Sequence, residues 1–256
     1  MILSRRAALG GSQLDQVDSS VVIRGMDPGT TKKTVNTVSQ MGGSGQRETG
    51  SHWETVEASV TYAIDIPKTN LADRREVFDD VNGWALKKGW LTMNWMDGKR
   101  LWVDDVTIPT SGDLFGWTDE YTIGFTARSV PFWQDAEATT ATGNQITVPG
   151  MVDTVCNMDL VNGSGSTINS LTIQIGGSVF YFTSLGLANG ETLKIGHTEK
   201  GKLFIRIYED TTTYRSVLDK RTGESSDDLN VKPGIRLITV SAENVTWTVS
   251  CCGRYL

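Results

Sequence analysis

The residues able to do chemistry are few, and their spacing keeps them apart. Two histidines, His52 and His197, stand far from each other in the chain. A lone histidine is more often a satisfied surface or core side chain than a general base. Ser164 sits in "NGSGS", which lacks the strand-to-helix context of a nucleophile elbow. The acidic pairs Asp79/Asp80, Asp104/Asp105 and Asp227/Asp228 are sequence neighbours. Neighbouring side chains diverge on a strand or helix, so none of these is a ready acid–base pair. Cys156, Cys251 and Cys252 show no zinc spacing, and adjacent residues of a strand face opposite ways. They read as small core or surface residues that stay reduced. No EF-hand or P-loop is present, so no catalytic residue, metal ligand or cofactor is assigned. The expectation is a protein that is not an enzyme. A glycan hydrolase built from carboxylates on separate strands is the enzymatic alternative.

Aromatic residues raise a second kind of chemistry, because sugars stack on exposed rings. Trp84, Trp95 and Trp102 lie on periodic faces and are expected in the core. Trp247 lies in the alternating "NVTWTVS", and Trp53, Trp117 and Trp133 flank strands, where an interface role fits better. A binding site needs a concave face with an exposed ring and polar partners. Tyr181, Tyr208 and Tyr214 are the candidate sugar contacts.

The elements that must position these residues are mostly strands. In "TVEASVTYAIDI", 55–66, the even positions are apolar and most odd ones polar, which predicts a long strand with one buried face. One helix follows, at about 70–88. Thr69 or Asn70 caps it, Leu71, Val77, Phe78, Val81, Trp84 and Ala85 form its apolar stripe, and Gly89 stops it. Arg74, Arg75, Asp79 and Asp80 are placed on its outer face. "WLTMNWMDGKRLWV" predicts a hairpin around Asp97-Gly98 with a type I′ turn. "DEYTIGFTAR", 119–128, alternates again. Residues 10–50 are rich in Gly, Ser, Thr and Gln, and "MGGSGQRETG", 41–50, reads as an exposed, mobile loop.

Beyond residue 145 the pattern is β throughout. Turns are expected at Gly176-Gly177, Asn189-Gly190 and Pro233-Gly234, and "KLFIRIYEDTTTYRSVL" is a further hairpin. Between the halves, "FTARSVPFWQD" ends a strand on a proline and two aromatics, and a small, polar connector follows. The reading is therefore a mainly β, two-domain chain. An N-terminal β-sandwich with one helix spans 1–133, a linker 134–145, and a second β-sandwich or jelly roll 146–256. Pro131, Phe132 and Trp133 form the interdomain hinge. The net charge of −6 comes with no basic patch, which argues against specific nucleic-acid binding or a membrane surface. "SRRAALGG" begins like a twin-arginine signal but continues polar, so export is not expected, and no segment is apolar enough to span a bilayer.

The order of features then matters. A long alternating strand leads to "RREVFDDVNGWAL", "LTMNWMDGKRLWV" and "FTARSVPFWQD"; after these come "ANGETLKI", "LNVKPGIRLITVS" and a C-terminal "CCGRYL". Over about residues 50–256 this succession resembles the distal tail proteins of siphophages, a family of bacteriophage tail baseplate components. The Gly/Ser-rich start, residues 1–50, is a departure from it. The resemblance implies a virion tail protein assembled in the host cytoplasm. Its first domain forms a homo-hexameric ring at the end of the tail tube, and its second, galectin-like domain projects outward. The partners implied are other copies of itself, the tail tube protein, the tail-tip hub protein and receptor-binding proteins. DNA passes through such a ring. No residues are assigned to the subunit contact. A carbohydrate-binding β-sandwich module or adhesin is the other reading.

Overall fold

The computed structural model describes residues 5–39, 46–110 and 120–256. The chain divides into two compact units, Met1–Trp133 and Gln134–Tyr255.

Alternation builds the first unit. Strand Val56–Ile64 buries Val56, Ala58, Val60, Tyr62 and Ile64, as a period of two requires of a strand with one dry face. It lies second in an antiparallel sheet ordered Val21–Asp27, Val56–Ile64, Glu120–Ala127, Asp105–Thr107. Register sets Tyr62 opposite Tyr121 and Ala58 opposite Phe125, so the two central strands share one apolar face. The helix Leu71–Ala85 covers that face. Phe78 meets Tyr121 edge-on at 5.1 Å, and Trp84 meets Phe125 at 6.3 Å. Asn70 is the N-cap, its side chain accepting from Asp73 N. A second sheet within this unit runs Ser12–Gln13, Ala7–Leu9, Gly89–Met93, Lys99–Val103.

Several expectations change here. Arg74 is buried rather than on the outer face of the helix: its guanidinium donates to the carbonyls of Ile64 (3.1 Å) and Ile66 (2.7 Å). Those carbonyls lie where the long strand ends, and a buried cation on them satisfies acceptors that the sheet leaves open. Leu71 is exposed instead of apolar-facing, because it sits on the first turn, above the covered surface. The helix ends at Ala85, and Lys88 as well as Gly89 takes positive φ in the reversal that follows. Trp95 is exposed in the loop of the next hairpin, not in the core, and Trp102 is half-buried edge-on to Trp90. In that loop only Gly98 has positive φ, so the turn is not type I′. Residues 46–50 belong to a strand, Gln46–Trp53, paired antiparallel with Lys33–Ser39, rather than to a loop. The remaining loop residues, 41–45, and Trp117 lie outside the described residues.

The second unit is a sandwich of two antiparallel sheets. One runs Thr139–Ala141, Val245–Cys251, Thr154–Asn162, Thr192–His197, Leu203–Tyr208, Tyr214–Ser216, with Asn230–Val231 pairing at the start of Thr154–Asn162. The other runs Gln145–Val148, Gly234–Val240, Leu171–Ile175, Ser178–Phe182. Met158, Leu160, Ile173, Phe180, Ile195 and Ile205 are among the side chains that fill the space between them. Gly176, Gly190 and Gly234 take the positive φ that their turns need. Within 134–145, Thr139–Ala141 forms a short edge strand on Val245–Cys251; its polar composition suits an edge.

Candidate functional site

Most residues that could carry catalysis are engaged structurally. The His197 side chain is buried, with Nδ1 2.9 Å from Asn157 Oδ1 and Nε2 2.6 Å from Asp228 Oδ1. Asp104 accepts from the backbone N–H groups of Arg128 and Ser129, each at 2.7 Å, which fixes the corner after Glu120–Ala127. Ser164 Oγ donates to Asn162 Oδ1 at 2.7 Å within its own turn. His52 is exposed. Among the described residues no group of three His, Cys, Asp or Glu side chains is arranged to hold a metal ion.

Pro131 is half-buried, whereas Phe132 and Trp133 are buried in the first unit. Phe132 packs edge-on to Trp53 at 5.1 Å, and Trp133 Nε1 donates to Pro28 O at 2.9 Å. A buried indole finds a partner for its N–H, and here the partner is a loop carbonyl far away in sequence. Both aromatics thus fasten the end of the first unit to its own packing.

The three candidate tyrosines separate. Tyr181 lies on Ser178–Phe182, in the four-stranded sheet. Tyr208 and Tyr214 come together as register partners of one hairpin on the larger sheet, ring centroids 5.2 Å apart. Tyr208, though not Tyr214, lines a cleft of about 630 Å³ together with Asp159, Val161, Thr192, Lys194 and Asp210, among others. Register explains the gathering: Asp159 opposes Lys194, and Thr192 opposes Tyr208, so all four leave the same face. Lys194 Nζ is 3.0 Å from Asp159 Oδ2 and 5.3 Å from the Tyr208 centroid. Arg206, on the same face, lies 4.2 Å from the Tyr214 centroid. The backbone N–H groups of Thr213 and Thr212 hold the Asp210 carboxyl well below the usual carboxylate range, so this rim is anionic and its loop is fixed. Rings beside fixed hydrogen-bonding groups make this face amphipathic. Asp159, Lys194 and Arg206 had no place in the sequence reading; the alternation of their strands is the signal that would have put them on the tyrosine face.

A second surface is the hairpin Lys33–Ser39/Gln46–Trp53, which pairs with no further strand among the described residues. Its base is clamped. Thr34 donates to the Glu54 carboxylate at 2.5 Å, Thr31 donates to the Glu54 carbonyl, and Glu54 N–H donates to Lys32 O at 2.9 Å. The Thr34 hydrogen bond, with Lys32 nearby, lowers the Glu54 pKa. Above the base, residues 35–37 and 49–52 are all exposed, Val35 included. A two-stranded ribbon without a sheet or helix against it is marginally stable in water.

No protein-family model matches the sequence, and a comparison with curated proteins finds no relative. Solved structures do match. The crystal structure of the SPP1 phage Dit protein (gp 19.1), described as a paradigm of the hub adsorption apparatus in phages infecting Gram-positive bacteria, superposes with a TM-score of 0.67 at 11% identity. That match covers 98% of this chain and 99% of the Dit chain. Chains of the phage P2 baseplate in its activated conformation, with Ca and with Sr, match at 10% and 11% identity with TM-scores of 0.47 and 0.49, each over 96% of this chain and 97% of theirs. On the Dit superposition, the chain has the fold of a phage distal tail protein along nearly its whole length.

Proposed function

We propose that this chain is a structural protein of a phage tail, forming a ring at the distal end of the tail tube. The observation that carries the reading is the end-to-end match in fold to the SPP1 Dit protein, in both units and without a large unmatched segment. The unit Met1–Trp133 is the ring former, and a hexamer is the expected closure. Pro131, Phe132 and Trp133 act as the hinge from which the second unit continues. The ring joins the tube to the tail-tip hub and offers a platform to receptor-binding proteins. The unsupported hairpin favours assembly: a strand edge and face left in water gain most from a neighbouring copy. Light scattering over a concentration series tests this, with a variant in which residues 36–50 are replaced by a short glycine turn. The native chain is expected to associate and the variant to stay monomeric. Equal masses for the two would remove the hairpin from the assembly.

A second reading attaches to the cleft beside Tyr208 and Tyr214, which suits a sugar of a host surface. Titration with cell-wall glycans is expected to perturb the Tyr208 ring and to lose its signal in Tyr208→Ala. Tyr181, on the other sheet, should be unaffected. No response at millimolar ligand leaves the cleft without this role.

A further inference from the structure

We propose that Cys156 and Cys251 form a cross-strand disulfide when the folded protein meets a two-electron oxidant of the peroxide class. The two residues are register partners between Thr154–Asn162 and Val245–Cys251. Cys156 N–H donates to Leu229 O at 2.9 Å, toward Asn230–Val231 and away from Val245–Cys251. The N–H and C=O of a residue in an antiparallel strand point to the same side. Cys156 and Cys251 are therefore a non-hydrogen-bonded pair, the closer of the two kinds, with Cα atoms about 4.5 Å apart. A disulfide spans roughly 4.4–6.8 Å between Cα atoms, so the backbone stands ready for the bond. Both side chains turn into the sandwich core, 0% and 1% exposed.

The interaction with Cys251, with burial added, pushes the Cys156 thiol up, whereas the interaction with Cys156 draws Cys251 down against burial, so the first attack is assigned to Cys251. Its thiolate attacks hydrogen peroxide and the O–O bond breaks. Cys251 becomes a sulfenic acid, and the hydroxide released takes up the proton that the thiol lost. The Cys156 sulfur then attacks the sulfenic sulfur, the S–O bond breaks, and the hydroxyl leaves as water with the Cys156 proton. Two thiols and one peroxide give one disulfide and two waters, and the two electrons lost by sulfur reduce the peroxide. Cys252 is excluded from the pair because it follows Cys251 directly and its side chain leaves the other way.

The bond would tie the centre of the larger sheet to the last long strand and close most of the second unit into a loop, which restricts the unfolded chain. On the tail-protein reading the chain folds in a reducing interior and meets oxidant after release, so the bond would close in the finished particle. That timing rests on the proposed function; the disulfide does not, and its test uses the purified chain alone.

The experiment treats the folded protein with hydrogen peroxide, quenches it, unfolds it, counts thiols and maps peptides without reduction. The expected result is loss of two of the three free thiols. A crosslink should join the peptides of Cys156 and Cys251, in Cys252→Ser as in the native chain. The melting temperature of the second unit should rise and fall back on reduction. Three thiols surviving in folded protein, a crosslink confined to Cys252, or sulfinic acid on Cys251 without a crosslink would overturn the proposal.

Discussion

Replacing Trp133 by alanine separates the two things that its indole does. The side chain is 1% exposed, and its Nε1–H reaches Pro28 O at 2.9 Å. Removing a buried tryptophan costs about 3–5 kcal/mol through lost transfer energy and the cavity left behind. Phenylalanine keeps most of the apolar volume but strands the Pro28 carbonyl, at a cost of about 1–3 kcal/mol. Urea unfolding loses about 1–3 kcal/mol of stability per molar for a unit of this size, so Trp133→Ala should lower the midpoint by roughly 2 M and Trp133→Phe by about half as much. Tryptophan fluorescence suits the assay, because Trp247 is the one tryptophan beyond residue 133 and the signal reports mainly the first unit. Trp133→Phe matching the native midpoint would refute the hydrogen-bond term. A loss below about 1 kcal/mol in Trp133→Ala would refute the packing argument itself.

Other substitutions test other parts. Gly150 has φ +107°, and a Cβ there would stand 2.6 Å from Arg254 N and 2.8 Å from Arg254 O. Gly150→Ala should therefore cost the second unit about 2–4 kcal/mol in a denaturant melt. Tyr62 has a buried hydroxyl with no hydrogen-bond partner among the described residues, and Tyr62→Phe should leave the first unit equally stable or stabilise it by about 1 kcal/mol. Glu191 accepts from both terminal nitrogens of Arg215, at 2.6 and 2.7 Å, and this holds its carboxyl below the usual range. The folded chain then binds this proton less readily than the unfolded one. The contribution is present above about pH 4.5 and is lost as pH falls through the lower folded value. Glu191→Gln should flatten the acid limb of stability in that window and, the pair being partly exposed, cost no more than about 1 kcal/mol at neutral pH.

Strands with one dry face were readable because burial forces alternation: Val56–Ile64 and Glu120–Ala127 carry their register in residue types. The hairpin Lys33–Ser39/Gln46–Trp53 was not readable, since residues 35–37 and 49–52 meet water on successive positions and nothing there demands a period. Arg74 was misplaced for another reason. Helical spacing gives a position on the wheel, whereas its burial depends on two carbonyls that only the tertiary structure brings near. Of the tyrosine cleft, the hairpin joining Tyr208 and Tyr214 was legible from the sequence. Asp159 and Lys194 reach it through strand order, which a sequence does not state.

The most direct test of the tail-ring account is negative-stain imaging of the largest species of the purified chain, paired with its mass in solution. The account predicts closed rings with an open centre and six times the monomer mass. Monomers at every concentration reached, with no ring in any field, would contradict it and turn attention to the cleft beside Tyr208 and Tyr214.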